Sequence, residues 1–212
     1  MIDIHSHTLL SDGELLPAEL ARRAEAAGYR ALAFTDHVDP STLESVLTTL
    51  KKAVADLQPY FDMRLIAGVE ITHCPPGQIA EVVAHARDLA AGIVIVHGET
   101  LSEPVKQGTN AAAVEARADV LAHPGLITPE EAAGAAGNGV CLEISARAGH
   151  SLANGHVAAA ARRAGAALVF GTDTHSPENI CPRERAELIG LGAGLSGDEV
   201  DEMFQTGWRF FK

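Results

Sequence analysis

The chain has 212 residues, 47% hydrophobic and 21% charged, which fits one globular domain with a sizeable core better than a disordered or fibrous chain. Sixteen Lys and Arg against 28 Asp and Glu give a formal charge of -12, which argues against a nucleic-acid partner gripped through its backbone charge. An anionic substrate would need a local source of positive charge. Aromatic residues make up 4%, too few for a stacking platform, so Trp208, Phe210 and Phe211 are expected to pack against the fold. No apolar run approaches the roughly 18 residues of a membrane helix, and Met1-Ile2-Asp3 enters a strand without a basic, apolar leader. A cytoplasmic protein with no membrane partner is expected. Cys74, Cys141 and Cys181 are widely spaced and odd in number, which reads as free thiols. A homo-oligomer is compatible with the sequence.

Short apolar or β-branched runs recur at residues 2–4, 31–34, 65–69, 93–96, 120–122, 140–144 and 167–170, which predicts seven strands. Ala-, Glu- and Arg-rich stretches with helix signals lie between them. Pro17 suits a first helical turn, Gly28 a helix end, and three pairs (Ser41 with Glu44, Thr128 with Glu131, Ser196 with Glu199) have capping-box spacing. Strand and helix therefore alternate, which implies an α/β domain with a parallel sheet, open or closed into a barrel. No G-x-G-x-x-G follows the first strand, where Ser6-His7-Thr8 stands instead, so the dinucleotide-binding reading loses its main support and a single barrel over residues 1–212 is expected.

Each expected strand ends in a potential metal ligand: His5 and His7, then His37, Glu70, His97, His123, Glu143, and finally Asp173 with His175. A single such histidine would pass for a hydrogen-bonded rim residue. In a parallel barrel, however, all strand C-termini meet on one face, where such folds carry their chemistry. His5 and His7, like Asp173 and His175, are two apart, the period that puts side chains on one side of an extended segment. Imidazole and carboxylate suit Zn, Mn or Fe, and the lack of nearby cysteines argues against a closed structural zinc site. Without Glu143 and with Asp12 the set comprises nine donors, enough for about three ions, whose surplus of about three positive charges would suit a phosphate dianion.

The motifs D-I-H-S-H-T with S-D-G, then T-D-H, G-V-E, V-H-G, A-H-P-G and G-T-D-T-H, in that order from Asp3 to His175, resemble the PHP (polymerase and histidinol phosphatase) superfamily. The resemblance implies a distorted (β/α)7 TIM-like barrel and a trinuclear site. By similarity, His5, His7, Glu70 and Asp173 surround one metal; Glu70, His97 and His123 hold a second, with Glu70 bridging; Asp12, His37 and His175 hold a third. It also implies phosphoester hydrolysis by a metal-bridging hydroxide, with the ions stabilising the nonbridging oxygens and the leaving group.

Asp173, His175 and Arg147 are the residues expected to carry catalysis. Arg147, just past the sixth strand, is the candidate phosphate clamp, since a guanidinium grips phosphate oxygens bidentately. Arg183, with Arg185, follows the last motif and is a second candidate. His150 and His73 are placed to serve substrate or leaving group. Glu99 and Glu143 are candidates to orient a metal-bound imidazole, whereas His85 and His156 look structural. The expected substrate is a small phosphate monoester, such as a histidinol phosphate-like compound, a nucleotide or a sugar phosphate. Two alternatives remain: an amidohydrolase-type barrel, disfavoured because the fourth strand ends in His97 rather than a bridging Lys, and a non-catalytic metal-binding module.

Overall fold

Apolar strands too short to stand alone, each followed by a helix with one greasy face, fold into a parallel array in the computed structural model, which describes residues 1–211. The strands are β1 (Ile2–Asp3), β2 (Ala31–Phe34), β3 (His37–Val38), β4 (Arg64–Ala67), β5 (Val69–Ile71), β6 (Val94–His97), β7 (Val120–Ala122), β8 (Cys141–Ser145) and β9 (Leu168–Gly171). The helices between and after them are α1 (Pro17–Ala26), α2 (Leu43–Leu57), α3 (Pro76–Asp88), α4 (Thr109–Glu115), α5 (Pro129–Asn138), α6 (Asn154–Ala164), α7 (Arg183–Gly192) and α8 (Gly197–Gly207). All paired strands run parallel, in the orders β1-β2-β4 and β3-β5-β6-β7-β8-β9.

Two of the seven expected strands are interrupted. The second resumes as β3 after Thr35 and Asp36, and the third breaks at Gly68 between β4 and β5. A Cβ on Gly68 would lie 2.5 Å from the Ile93 carbonyl oxygen, so the backbones approach there more closely than a side chain permits. The outer strands meet beyond their ends. Ser6 bridges Thr174 in parallel, with His7 N–H donating to the Thr174 carbonyl at 2.8 Å and Asp173 N–H to the His5 carbonyl at 2.9 Å. Below that seam the Asp3 carboxylate replaces a missing ladder: it accepts from Thr172 N–H at 3.0 Å and His5 N–H at 3.2 Å, and from the Thr172 hydroxyl.

β2, β6 and β8 are buried on both faces, as expected of parallel strands covered by helices. Phe34, Leu32, Ile4, Ile95 and Phe170 fill the core. Thr128 and Ser196 form the expected capping boxes with Glu131 and Glu199. Ser41 and Glu44 do not: α2 begins at Leu43, and the preceding turn is organised by Asp39, whose Oδ1 accepts from Ser41 N–H at 2.8 Å and the Ser41 hydroxyl at 2.6 Å. Thr42, not Ser41, precedes the first helical residue, so the Ser41 hydroxyl donates to the turn instead of accepting from a first-turn N–H. All three cysteines are free and buried, and Phe211 packs edge-on to Trp208. Among the described residues no helix is long and apolar enough to cross a membrane.

Burial pushes the Asp3 carboxyl up to about 6 against the hydrogen bonds that favour its charge. A folded-state pKa above the ordinary 3.8 favours the protonated fold, so this contribution is complete below about pH 4 and is lost as pH rises through about 6. Asp3→Asn, in metal-depleted protein, is expected to gain about 2–3 kcal/mol relative to wild type between pH 4 and pH 7. Urea unfolding at the two pH values reads this difference; parallel pH curves would show that the seam carries no such cost.

Candidate metal centre

The C-terminal ends of the strands bring every one of the nine expected donors to one basin. Glu70, on β5, lies at its middle and is wholly buried. Its Oε2 is 2.8 Å from His37 Nδ1, 3.3 Å from His5 Nε2 and 3.5 Å from His7 Nε2, while its Oε1 is 3.4 Å from His123 Nε2. Asp173 shares three of these partners, its Oδ1 lying 3.2 Å from His7 Nε2 and 3.9 Å from His5 Nε2 and its Oδ2 3.9 Å from His123 Nε2. Asp12 reaches in from the loop after β1, with Oδ1 3.1 Å from His175 Nε2, 3.4 Å from His37 Nε2 and 4.0 Å from His7 Nδ1. His97 ends β6, its ring 4.4 Å from that of His123.

Two of the ligand positions, His123 and Asp173, take positive φ values of 28° and 52°. Such backbone is disfavoured for residues with a Cβ and is held here by the surrounding seam and loops. Gly171, two residues before Asp173, is required by space. A Cβ there would fall 2.0 Å from Glu143 Oε1 and 2.9 Å from His5 Cβ. Glu143 itself fulfils its expected positioning role: its Oε1 takes the His5 Nδ1 hydrogen bond at 2.7 Å, and its Oε2 accepts from His123 N–H at 3.0 Å. With Nδ1 engaged, His5 presents Nε2 to the basin.

The electrostatics tie these carboxylates and imidazoles to one another. Burial alone would raise the Glu70 carboxyl, yet the His5 and His37 imidazoles hold it well below its ordinary range, and His5 and His7 do the same for Asp173. Conversely, burial opposes charge on His5 but Glu70 and Glu143 push it well up, while burial and His37 push His7 down to about 3. Arg147 is the one Lys or Arg whose side chain contacts these carboxylates among the described residues, with Nε 3.6 Å from Asp173 Oδ2. Most telling, His5 Nε2, both ring nitrogens of His7 and His123, both Glu70 oxygens and Asp173 Oδ1 are buried without a hydrogen-bond partner. Unpaired buried polar atoms are costly, and lone pairs converging on one volume are what divalent ions require. Groups of donor atoms within 4.8 Å of one another include His7, Asp12, His37 and His175; His5, His7 and Asp173; and His97, His123 and His150.

The profile of the PHP domain matches residues 3–134. The chain belongs to the PHP domain family. A protein of Methanocaldococcus jannaschii, MJ1295, is 45% identical to this PHP chain over 201 residues, covering 94% of it and 92% of the relative. In structure, the PHP chain resembles a Xaa-Pro dipeptidase with bound methionine (TM-score 0.69, 13% identity, 100% of this chain and 74% of that one). It also resembles hisK, a candidate histidinol phosphatase of Listeria monocytogenes (TM-score 0.59, 9% identity, 85% and 97%). At such identities these likenesses establish a TIM-barrel-like fold, shared by amidohydrolases and PHP proteins alike.

A cavity of about 430 Å³ opens over the PHP basin and is lined by Asp12, His37, His97, Arg147, Asp173 and His175 with Asp39, His73, Glu103 and His150. Arg147 is thus at the site, donating from Nη1 to the Asp173 carbonyl at 3.1 Å. Arg183 is not. It is spent on Glu187 at 2.6 Å and Asp201 at 3.0 Å, with its guanidinium 3.7 Å over the Phe204 ring. Glu99 also departs from expectation, since its Oε1 accepts from Gly108 N–H and Asn110 N–H and closes a loop rather than orienting an imidazole. His156 Nε2–H donates to the Ile127 carbonyl at 2.8 Å and His85 lies exposed on α3, both outside the basin. Three contributors escape sequence reasoning. Glu103 faces three imidazoles from mid-loop, Asp3 holds the seam, and Asp36 takes Thr8 N–H and the Ser11 hydroxyl, each at 2.8 Å, to fix the loop carrying His7 and Asp12. Only the D in T-D-H was a signal for the last.

Replacing Glu143 by Gln removes the charge that orients His5 while keeping its shape. Metal affinity is expected to fall about 10–100-fold, read by calorimetric titration of chelator-treated protein with Zn2+. Unchanged affinity would mean that the His5–Glu143 pair serves the fold alone.

Proposed function

We propose that this PHP chain is a metal-dependent phosphatase acting on a small phosphate monoester, with three divalent ions held by the nine donors. The observation that carries the reading is the set of buried, unpartnered donor atoms beneath a cavity whose wall includes a single guanidinium, Arg147. His5, His7, Glu70 and Asp173 would hold one ion, Glu70, His97 and His123 a second, and Asp12, His37 and His175 a third. Bound there, Zn, Mn or Fe supplies Lewis acidity and lowers the pKa of water toward neutrality.

The chain's own residues do the rest. Arg147 is half-buried, long and anchored to the Asp173 carbonyl, so it presents its remaining N–H groups to the cavity at little further entropic cost and binds two phosphate oxygens. Asp173, whose carboxyl is held far below its ordinary range, is ionised at any working pH and so suits a ligand better than a proton donor. His150, pushed down to about 4 by burial, stays neutral at pH 7 and keeps a lone pair on Nε2 toward the cavity. The half-open cavity admits a substrate of modest size and commits to no particular leaving group.

Elemental analysis of the purified protein, paired with a phosphate-release screen across monoesters, nucleotides and diesters with and without Mn2+, tests the reading. About three ions per chain and metal-dependent release from monoesters support it. About two ions without release would favour amidohydrolase chemistry, and a metal-replete but inert protein a binding module. His5→Ala and Asp173→Ala are each expected to abolish turnover, by ~1000-fold or more, while circular dichroism stays native. Arg147→Ala is expected to raise KM for phosphate esters by ~10-fold or more; unchanged KM and kcat across several esters would remove the clamp.

A further inference from the structure

The loop of residues 98–108, between β6 and α4, is fixed to the end of β7: Asn110 Nδ2 donates to the Pro124 carbonyl at 2.9 Å, and Asn110 Oδ1 accepts from Glu99 N–H at 3.0 Å. A Cβ on Gly125 would fall 2.0 Å from the Glu99 carbonyl oxygen, so loop and strand end are in backbone contact. From this loop Thr100 Oγ1 and Ser102 Oγ lie 2.6 Å and 3.0 Å from His150 Nδ1. With Nδ1 occupied, the buried His150 turns Nε2 toward Glu103 Oε1 at 3.4 Å and Asp173 Oδ2 at 3.6 Å. His97 is oriented in the same way. Its Nδ1 meets the Gly98 carbonyl at 3.1 Å, leaving Nε2 3.1 Å from Glu103 Oε2.

His123 completes the group. Its ring stacks on His150 at 4.1 Å with planes 16° apart, and both its nitrogens are buried and unpartnered. Two stacked imidazoles, a third edge-on at 4.4 Å and one carboxylate therefore share a small volume. Ions with ligand bonds of about 2.0–2.2 Å set neighbouring donors roughly 3.0–3.5 Å apart, whatever the coordination number from four to six. The separations of 3.1 Å and 3.4 Å from Glu103 to His97 and His150 match that spacing. An imidazole whose other nitrogen is already fixed by a hydrogen bond is the usual metal ligand, and both His97 and His150 meet that description.

We propose that Glu103 and His150 are metal ligands in this chain, joining His97 and His123 around one borderline divalent ion of the Zn2+ type. The assignment rests on the metal centre proposed above and adds two donors to the ion placed at Glu70, His97 and His123. Glu103 is the exposed member, with 36% of its side chain open to the cavity, and so is the ligand that an entering anion displaces.

Chelator-treated wild type, Glu103→Gln and His150→Asn are titrated with Co2+, followed by visible absorption, and with Zn2+ by calorimetry. Glu103→Gln is an isosteric change on a solvent-facing loop residue, and Thr100→Val is a further variant that leaves both proposed ligands in place while removing the shorter of the two hydrogen bonds to His150 Nδ1. In Glu103→Gln and His150→Asn, one Zn2+ equivalent is expected to weaken by ~10-fold or more while the others are retained, and the Co2+ absorption to change intensity as one ion loses a ligand. Thr100→Val is expected to weaken the same equivalent less. Wild-type stoichiometry, affinity and Co2+ spectrum in both ligand variants would overturn the proposal and leave Glu103 and His150 as hydrogen-bonding partners only. Because these readouts involve no substrate, a protein inert toward every phosphoester would overturn the phosphatase reading and leave this one standing.

Discussion

Glu70 is a carboxylate sealed from water among imidazoles, with both oxygens short of a hydrogen bond. Much else in the molecule supports that one unfavourable burial. A lone buried carboxylate would take up a proton or draw in a cation, and the surrounding residues are arranged for the cation. Glu143 fixes His5, Thr72 fixes His37 at 2.6 Å, and Gly98 fixes His97. Each of these imidazoles leaves its other nitrogen facing the basin or its rim. The result is a ring of lone pairs whose positions are set by the backbone ends of separate strands rather than by any flexible loop, which is how a site is made stiff enough to hold ions in a defined order.

The acidity of the chain and a phosphate-binding role are reconciled at this place. A formal charge of -12 repels anions at long range, and one guanidinium does not reverse that. Divalent ions concentrated in a buried basin would change the local sign while the rest of the surface stays acidic. In the proposed phosphatase, selectivity would arise at short range: Arg147 and the ions would favour a compact dianion, whereas Asp39 and Glu103 on the cavity wall would disfavour additional negative charge. Both groups contribute without any large basic patch.

Strand-end ligands were legible in the sequence because a parallel array leaves no choice about where strand ends go. His5, His7, Glu70 and Asp173 needed only the strand assignments and the period of two. Asp12 was legible through the family motif, since its loop is set by Asp36 and no periodicity reports that contact. Glu103 was hidden because the path of residues 98–108 depends on Glu99 and Asn110 clasping the loop to β7, contacts between residues that carry no shared pattern. Arg183 misled for the opposite reason. Its position after the last motif suggested the site, but Glu187 one turn along α7 and Asp201 and Phe204 on α8 claim the guanidinium. Ser41 had the spacing of a helix cap, but α2 begins one residue too late for it and the Ser41 hydroxyl donates to Asp39 in the preceding turn.

The seam between β1 and β9 has a temporal meaning. Asp3 and Thr172, which hold it, are 169 positions apart. His5 and His7 are made well before their partner Asp173, so the basin stays incomplete until β9 has followed the intervening strands. Long-range parallel pairing of this kind is slow to form and leaves sheet edges exposed meanwhile. Two histidines and a carboxylate held apart until the final strand docks bind ions poorly on their own. An ion that needs His5, His7 and Asp173 together would therefore find its donors assembled only after β9 has docked.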